Sequence, residues 1–195
     1  ALPADINGVT LGSVTSIAIS GDLMAVAVPA NVKTDNGYVL FYNGLDSSSP
    51  AFLDSVVVGA LPDMVTFTPD GGKVLVANEG EPSDDYTIDP EGSVSVINIL
   101  ASGEPEETGT TVGFTALNGI EADLMAQGMM FPNPAGRTIN GTAITSTVAK
   151  DLEPEYITAT NDVAYVSLQE NNGLAIIDLE ELTVDVVGLG TKSWA

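Results

Sequence analysis

The sequence has no cysteine and no histidine, and only five basic residues stand against 27 acidic ones. Without cysteine there are no disulfides, thiolate metal sites or cysteine nucleophiles. Without histidine the His-based nucleophilic triads are excluded too, leaving only Ser-Lys variants as formal candidates. A formal net charge of −22 excludes nucleic acid and anionic membrane surfaces as partners, since both require basic patches. It favours divalent cations, basic partners or plain solubility. Phosphate clamps need Arg or Lys, and the chain offers Lys33, Lys73, Arg137, Lys150 and Lys192, none of them within residues 78–91. There is no phosphate-cradling glycine loop, so no self-contained hydrolase site is expected. No apolar run is long enough to span a bilayer, and no signal peptide is visible. Aromatic residues make up 6% of the chain, with Trp194 the single tryptophan.

What is present is a hydrophobic content of 44% over 195 residues, enough for a sizeable core. The apolar residues come in short Val/Ile-rich runs punctuated by Gly, Asp and Asn, the pattern of strands and tight turns. One phrase recurs. Pro62 to Glu79 reads P-D-M-V-T-F-T-P-D-G-G-K-V-L-V-A-N-E, and Pro154 to Glu170 reads P-E-Y-I-T-A-T-N-D-V-A-Y-V-S-L-Q-E. A weaker copy runs from Ser16 to Val28. Each copy is a strand, a turn, a second strand and a polar loop, followed by a strand that opens with Gly37, Gly92 or Gly173. Repeated antiparallel units of this size predict an all-β fold of four-stranded β-propeller blades, of the YncE or WD40 kind. The blade-like units cover about 14–58, 59–103 and 151–190 of a single domain. In the third strand of the first unit, Tyr38, Phe41 and Tyr42 alternate with apolar residues, which predicts burial on both faces.

The matched positions Ile17, Val65 and Ile157 are 48 and then 92 residues apart. The longer interval predicts an insertion over about 104–150 containing one short helix near 118–130. In it, Asn118 is the expected N-cap with Glu121 closing a capping box, and Gly128 is the expected stop. Met125, Met129 and Met130 are expected on its packing face. Three blades cannot close a ring. The chain is therefore expected to be a partial propeller, completed by further sequence or by a neighbouring chain as in a homo-oligomer or filament. Trp194 is expected to pack into a following blade.

Acidic residues concentrate where the repeat is loop. Glu79, Glu81, Asp84, Asp85, Asp89 and Glu91 lie in one inter-strand loop, and Glu153 and Glu155 precede a strand. Asp63 and Glu155 both follow proline at the start of the innermost strand, and Glu79 and Glu170 both end the second strand. Calcium takes six to eight oxygen ligands, and crowded carboxylates gain most from a divalent ion. These ten acids are the candidate metal ligands, with Ca2+ the expected cofactor. The D-x-D-x-D-G spacing of an EF-hand is absent, and solvated surface acids would give much of the same pattern.

The stretch from Leu61 to Tyr86, together with Asp89 to Ile97, Asp151 to Ile157 and Tyr165 to Asp178, resembles the choice-of-anchor I family of bacterial secreted proteins. The resemblance runs from about Val14 to Thr191. It implies an extracellular or cell-surface propeller whose members usually begin upstream and continue beyond this stretch. The resemblance leaves the activity open; the lack of basic residues within 78–91 favours a binding or scaffold module with acidic loops and an unidentified protein or glycan partner over an enzyme. Phosphatase and phytase relatives make a metal-dependent phosphoesterase the alternative.

Overall fold

The polar phrase between two apolar runs folds three times into the same object. The structure, a computed structural model, describes residues 2–47, 49–132 and 136–192. A short hairpin of β1 (Asp5–Ile6) and β2 (Val9–Thr10) comes first. The first sheet then comprises β3 (Ser16–Ser20), β4 (Leu23–Val28), β5 (Asn36–Asn43) and β6 (Ala51–Ala60). The second comprises β7 (Pro62–Phe67), β8 (Lys73–Asn78), β9 (Ser93–Asn98) and β10 (Thr110–Gly113). A small hairpin, β11 (Thr138–Ile139) and β12 (Thr142–Ala143), precedes the third sheet. That sheet comprises β13 (Ile157–Ala159), β14 (Val163–Leu168), β15 (Gly173–Asp178) and β16 (Thr183–Gly188). In all three the order in space is the order in sequence and every pairing is antiparallel. Three such meanders laid face to face form an arc of a β-propeller.

The first strand of each sheet lies innermost. Thr15 Oγ1 donates to the Pro62 carbonyl at 2.6 Å, and the Val65 N–H donates to Ser16 Oγ at 3.2 Å. The Ile157 N–H lies 3.1 Å from Met64 Sδ. Between the first two sheets the core is Ala25, Ala27, Val39, Phe41, Val56, Val58, Val65, Val74, Val76 and Ile97. A larger core between the second and third gathers Leu75, Val94, Val96, Phe114, Leu152, Val166, Ile177 and their neighbours. Tyr38, Phe41 and Tyr42 are all buried as expected. The turn at Thr68–Gly72 is built as its residues dictate: Gly71 takes φ +72°, and Asp70 Oδ1 accepts from Thr68 Oγ1 and from the Gly72 N–H.

The segment between the second and third sheets departs from the sequence reading. β10, the fourth strand of the second sheet, lies inside the stretch expected to be insertion. A 3-10 turn (Thr115–Leu117) follows, and then helix α1 covers only Glu121–Ala126. Its N-cap residue is Ile120, which has no side chain able to cap, so the expected Asn118 capping box does not form. Asn118 Oδ1 instead accepts the N–H of buried Ala149, at 3.0 Å, at the start of helix α2 (Val148–Asp151). A buried N–H with no other acceptor outweighs a cap in solvent. The expected methionine packing face is also corrected: Met129 is buried, whereas Met125 and Met130 are exposed. α1 ends at Ala126, so Met129 and Met130 lie beyond it, and Leu124 is the residue the helix itself buries.

Gly128 does end α1. The Gly128 N–H donates to the Met125 carbonyl and the Met129 N–H to the Leu124 carbonyl, at φ +94° for Gly128, which is the Schellman arrangement. A β-carbon there would meet the Gly190 backbone at 2.7 Å. Gly128→Ala is expected to cost about 2 kcal/mol, read as a lower denaturant midpoint at unchanged m. Trp194 lies outside the described residues, as do residues 133–135 of the proline-bearing break.

Candidate functional site

The repeat places equivalent acids at equivalent corners of the second and third sheets. Asp63 is the second residue of β7, and Glu79 directly follows β8. The Glu79 N–H donates to the Leu61 carbonyl at 3.0 Å, which extends the β7–β8 ladder by one rung and holds Glu79 beside Asp63. Leu61 adopts φ +51°, an uncommon conformation for a γ-branched residue, at the crossing from the first sheet to the second. In the third sheet the Glu155 N–H donates to the Ser167 carbonyl at 3.1 Å, and Glu170 follows β14. Because β7 and β13 are neighbours, the two sets converge, and Glu81 and Glu153 join them.

Charge and burial act together there. The Glu79 carboxyl is pushed up to about 7, first by burial and then by the charges of Asp63, Glu81, Glu155 and Glu170. Glu153 is 8% exposed, and its carboxyl is pushed up to about 8 by burial, by the charge of Glu170 and by a hydrogen bond with it. Asp63 and Glu155 are raised as well, each chiefly by burial. Glu81, Glu153 and Glu170 line a cavity of about 270 Å³ together with Lys33, Tyr86 and Asp84.

Of the ten candidate ligands, these six, Asp63, Glu79, Glu81, Glu153, Glu155 and Glu170, form the electrostatically linked group. The remaining four are placed elsewhere. Asp84 is fully exposed, 3.7 Å from Lys33. Asp85 staples its own loop, accepting from Ser83 Oγ, the Thr87 N–H and Thr87 Oγ1, and these bonds hold its carboxyl below the usual range. Asp89 faces Lys150 at 4.0 Å, and Glu91 is exposed beside a separate cleft. Among the described residues no group of three carboxylates forms a ready metal-ligand set. The donor chemistry suits a hard cation.

Two side chains at the site are not legible in the repeat. Lys33, from the loop after β4, donates to Glu81 Oε2 at 2.9 Å. It and Lys150 place two cations at the 78–91 loop, which the linear sequence leaves without any; both arrive from distant segments. Asn171 is fully buried. Its amide donates to the carbonyls of Asp151 and Met130 at 2.8 and 3.0 Å, and its Oδ1 faces the Glu153 N–H at 3.4 Å. It thereby fixes the segment that carries Glu153. The adjacent Glu170-Asn171 pair was the available signal, but its partners lie across the fold.

These features define the class: a propeller arc bearing a cluster of carboxylates where two blades meet. A choice-of-anchor I domain profile matches residues 3–195. The chain belongs to the choice-of-anchor I family. No curated protein matches it. Among solved structures it is similar to a functionally unknown protein from Desulfotomaculum acetoxidans DSM 771, at 14% identity and a TM-score of 0.51, over 90% of this chain and 42% of that one. It also matches the periplasmic gluconolactonase PpgL of Pseudomonas aeruginosa at 15% identity and a TM-score of 0.43, over 93% of this chain and 59% of that one. The chain thus spans less than two thirds of either structure. No helix among the described residues is long and apolar enough to cross a membrane.

Proposed function

We propose that the chain is a secreted or surface-displayed binding module, and that its carboxylate cluster takes up a divalent cation, calcium first. The observation that carries this reading is the convergence of Asp63, Glu79, Glu81, Glu153, Glu155 and Glu170, which lifts Glu79 and Glu153 toward neutrality. Carboxylates crowded and partly desolvated in this way repel one another, and a cation that replaces their protons relieves the repulsion. Family membership supports placement outside the cell.

Melting with calcium and with chelator tests the reading. Calcium at one hundred times its dissociation constant is expected to add about 2.7 kcal/mol of stability. An unchanged midpoint at millimolar calcium would remove the proposal. A phosphoesterase reading is favoured only by Lys33 and Lys150 beside the acids, and both are already paired with Glu81, Asp84 and Asp89. Incubation with aryl phosphate and calcium decides it, and no phosphate release is the expected result.

A further inference from the structure

Asparagine followed by glycine occurs six times, at Asn7, Asn36, Asn43, Asn118, Asn140 and Asn172. In that dipeptide the glycine nitrogen can attack the asparagine amide carbon, because glycine has no side chain to hinder the approach and leaves the backbone free to turn. The attack needs an amide open to solvent, an unengaged glycine N–H and a backbone able to rotate, so the fold decides which of the six react. Four are held in place. The Asn118 amide accepts from the Ala149 N–H at 3.0 Å, and the Asn172 amide donates to the carbonyls of Gly128 and Gly190, both at 2.8 Å. The Gly44 N–H, whose nitrogen would attack Asn43, donates to Asp22 Oδ2 at 3.0 Å. Asn36 is laddered into β5, and the buried Gly37 after it is packed against Pro62.

Asn7 and Asn140 remain, each opening a two-residue hairpin turn. Asn7 and Gly8 have φ +51° and +84°, and Asn140 and Gly141 have φ +48° and +86°, the signs that a type I′ turn requires. Among the described residues neither asparagine amide makes a hydrogen bond. What anchors the two hairpins differs. The β1–β2 hairpin is tied to the first sheet: the Asn31 N–H donates to the Thr10 carbonyl at 2.9 Å, and Ile6 and Val9 pack on the core of Val26, Tyr38 and Leu40. The β11–β12 hairpin has its own ladder, extended by the Gly136 N–H to the Ile144 carbonyl and the Ile144 N–H to the Arg137 carbonyl. Residues 138–143 make no hydrogen bond to the rest of the described chain. A two-stranded hairpin on its own is marginal in water, so this turn opens most easily. Asn140 and Gly141 are both exposed.

We propose that Asn140 is a site of spontaneous deamidation, converted through a succinimide to aspartate and isoaspartate. The Gly141 nitrogen bonds to Asn140 Cγ, the Cγ–Nδ2 bond breaks, and ammonia leaves with the proton that Gly141 gives up. Water then adds to one succinimide carbonyl. Opening at Cγ gives aspartate, and opening at the backbone carbonyl gives isoaspartate, whose main chain runs through the former side chain. Water is the one co-reactant, and the rate rises with pH because the glycine nitrogen attacks as its anion. Either product adds a negative charge to a chain already at −22. Isoaspartate also puts one more carbon into the backbone of a two-residue turn, so Ile139 and Thr142 lose their register. The change falls beside the carboxylate cavity, because Arg137 at the base of this hairpin donates to the carbonyl of Pro132, which lines it.

Ageing the folded 195-residue chain in mildly alkaline buffer, followed by tryptic peptide mapping with mass spectrometry, tests this. Cleavage after Arg137 and Lys150 releases residues 138–150, in which Asn140 is the only asparagine. That peptide is expected to gain aspartate and isoaspartate first. Asn43, Asn118 and Asn172 are expected to convert about tenfold more slowly, the worth of a held hydrogen bond. In denaturant, where no amide is held, the six should convert at similar rates. Conversion of Asn140 no faster than those three in the folded chain would overturn the proposal, and so would a ranking that persists in denaturant. Asn140→Ser, at an exposed position, is expected to fold as wild type does, verified by circular dichroism melting. After ageing it should lose most of the methyl groups that an isoaspartyl methyltransferase transfers from S-adenosylmethionine to the wild-type chain. Undiminished methylation of that variant would sink the assignment to Asn140.

Discussion

Gly92→Ala is expected to cost about 3 kcal/mol or more and to lower the melting temperature by several degrees. Gly92 directly precedes β9, where the acidic loop rejoins the second sheet, and its N–H donates to the Ala149 carbonyl at 3.0 Å. A β-carbon there would run into the Leu152 carbonyl oxygen, with Pro154 Cδ at 2.8 Å and the Glu79 carbonyl at 3.1 Å. Those atoms belong to backbone and a proline ring, which cannot swing aside as a flexible side chain can. The second and third sheets would have to part, which is overpacking at the upper end of its usual cost. The displacement would fall on the segments that carry Glu79 and Glu153. Gly113→Ala is the control: its added carbon meets nothing within 4 Å, and its stability should match wild type within about 0.5 kcal/mol. Equal midpoints for the two variants in denaturant titration would refute this account of the contact between the sheets.

Stability is expected to fall as pH rises from about 4.5 through 8 in the absence of divalent cations. Glu79 and Glu153 are raised in the folded protein to about 7 and about 8 from an ordinary 4.5. Over that interval the folded chain therefore holds more protons than the unfolded one, and unfolding is favoured as protons become scarce. The stabilising contribution is complete below about 4.5 and is lost as the pH passes the folded values. For buried Glu153 the loss is on the order of 3 kcal/mol; half-buried Glu79, screened by water, adds less. The turn carboxylates of Asp70, Asp85 and Asp178 are lowered by hydrogen bonds. Their effect has the opposite sign and is lost only below about 3.8. Glu153→Gln keeps the side-chain volume and a hydrogen bond to Glu170 but has no proton to lose. Its melting temperature should fall less steeply over the interval, with Glu79 still titrating, and exceed that of wild type near the alkaline end. A wild-type midpoint that rises from pH 5 to 8 would show that these carboxyls are not held apart from solvent. Under the proposed function, calcium competes with the same protons, so the gain on adding it should be largest near pH 8 and vanish near pH 5.

The sequence by itself determined the architecture of this protein. A strand–turn–strand phrase of short apolar runs, turn residues with positive φ and a repeat of blade length specify local structure, and local structure of that kind stacks in one way. It also determined that the acids at the two ends of the phrase occupy equivalent corners, because strand register is counted residue by residue. Tertiary structure decided which carboxylates meet. Glu79 and Glu153 are raised because β7 and β13 lie side by side, a contact between residues far apart in the chain. Asp84, Asp85, Asp89 and Glu91, closer to Glu79 in sequence, are turned to Lys33, to the loop's own hydroxyls, to Lys150 and to solvent. Asn118 left its expected cap for the same reason: the N–H of Ala149, brought close only by folding, was the buried donor in need of an acceptor. Local pattern fixes which face a residue takes, whereas the charge and burial that give a carboxyl its chemistry come from residues the fold carries to it.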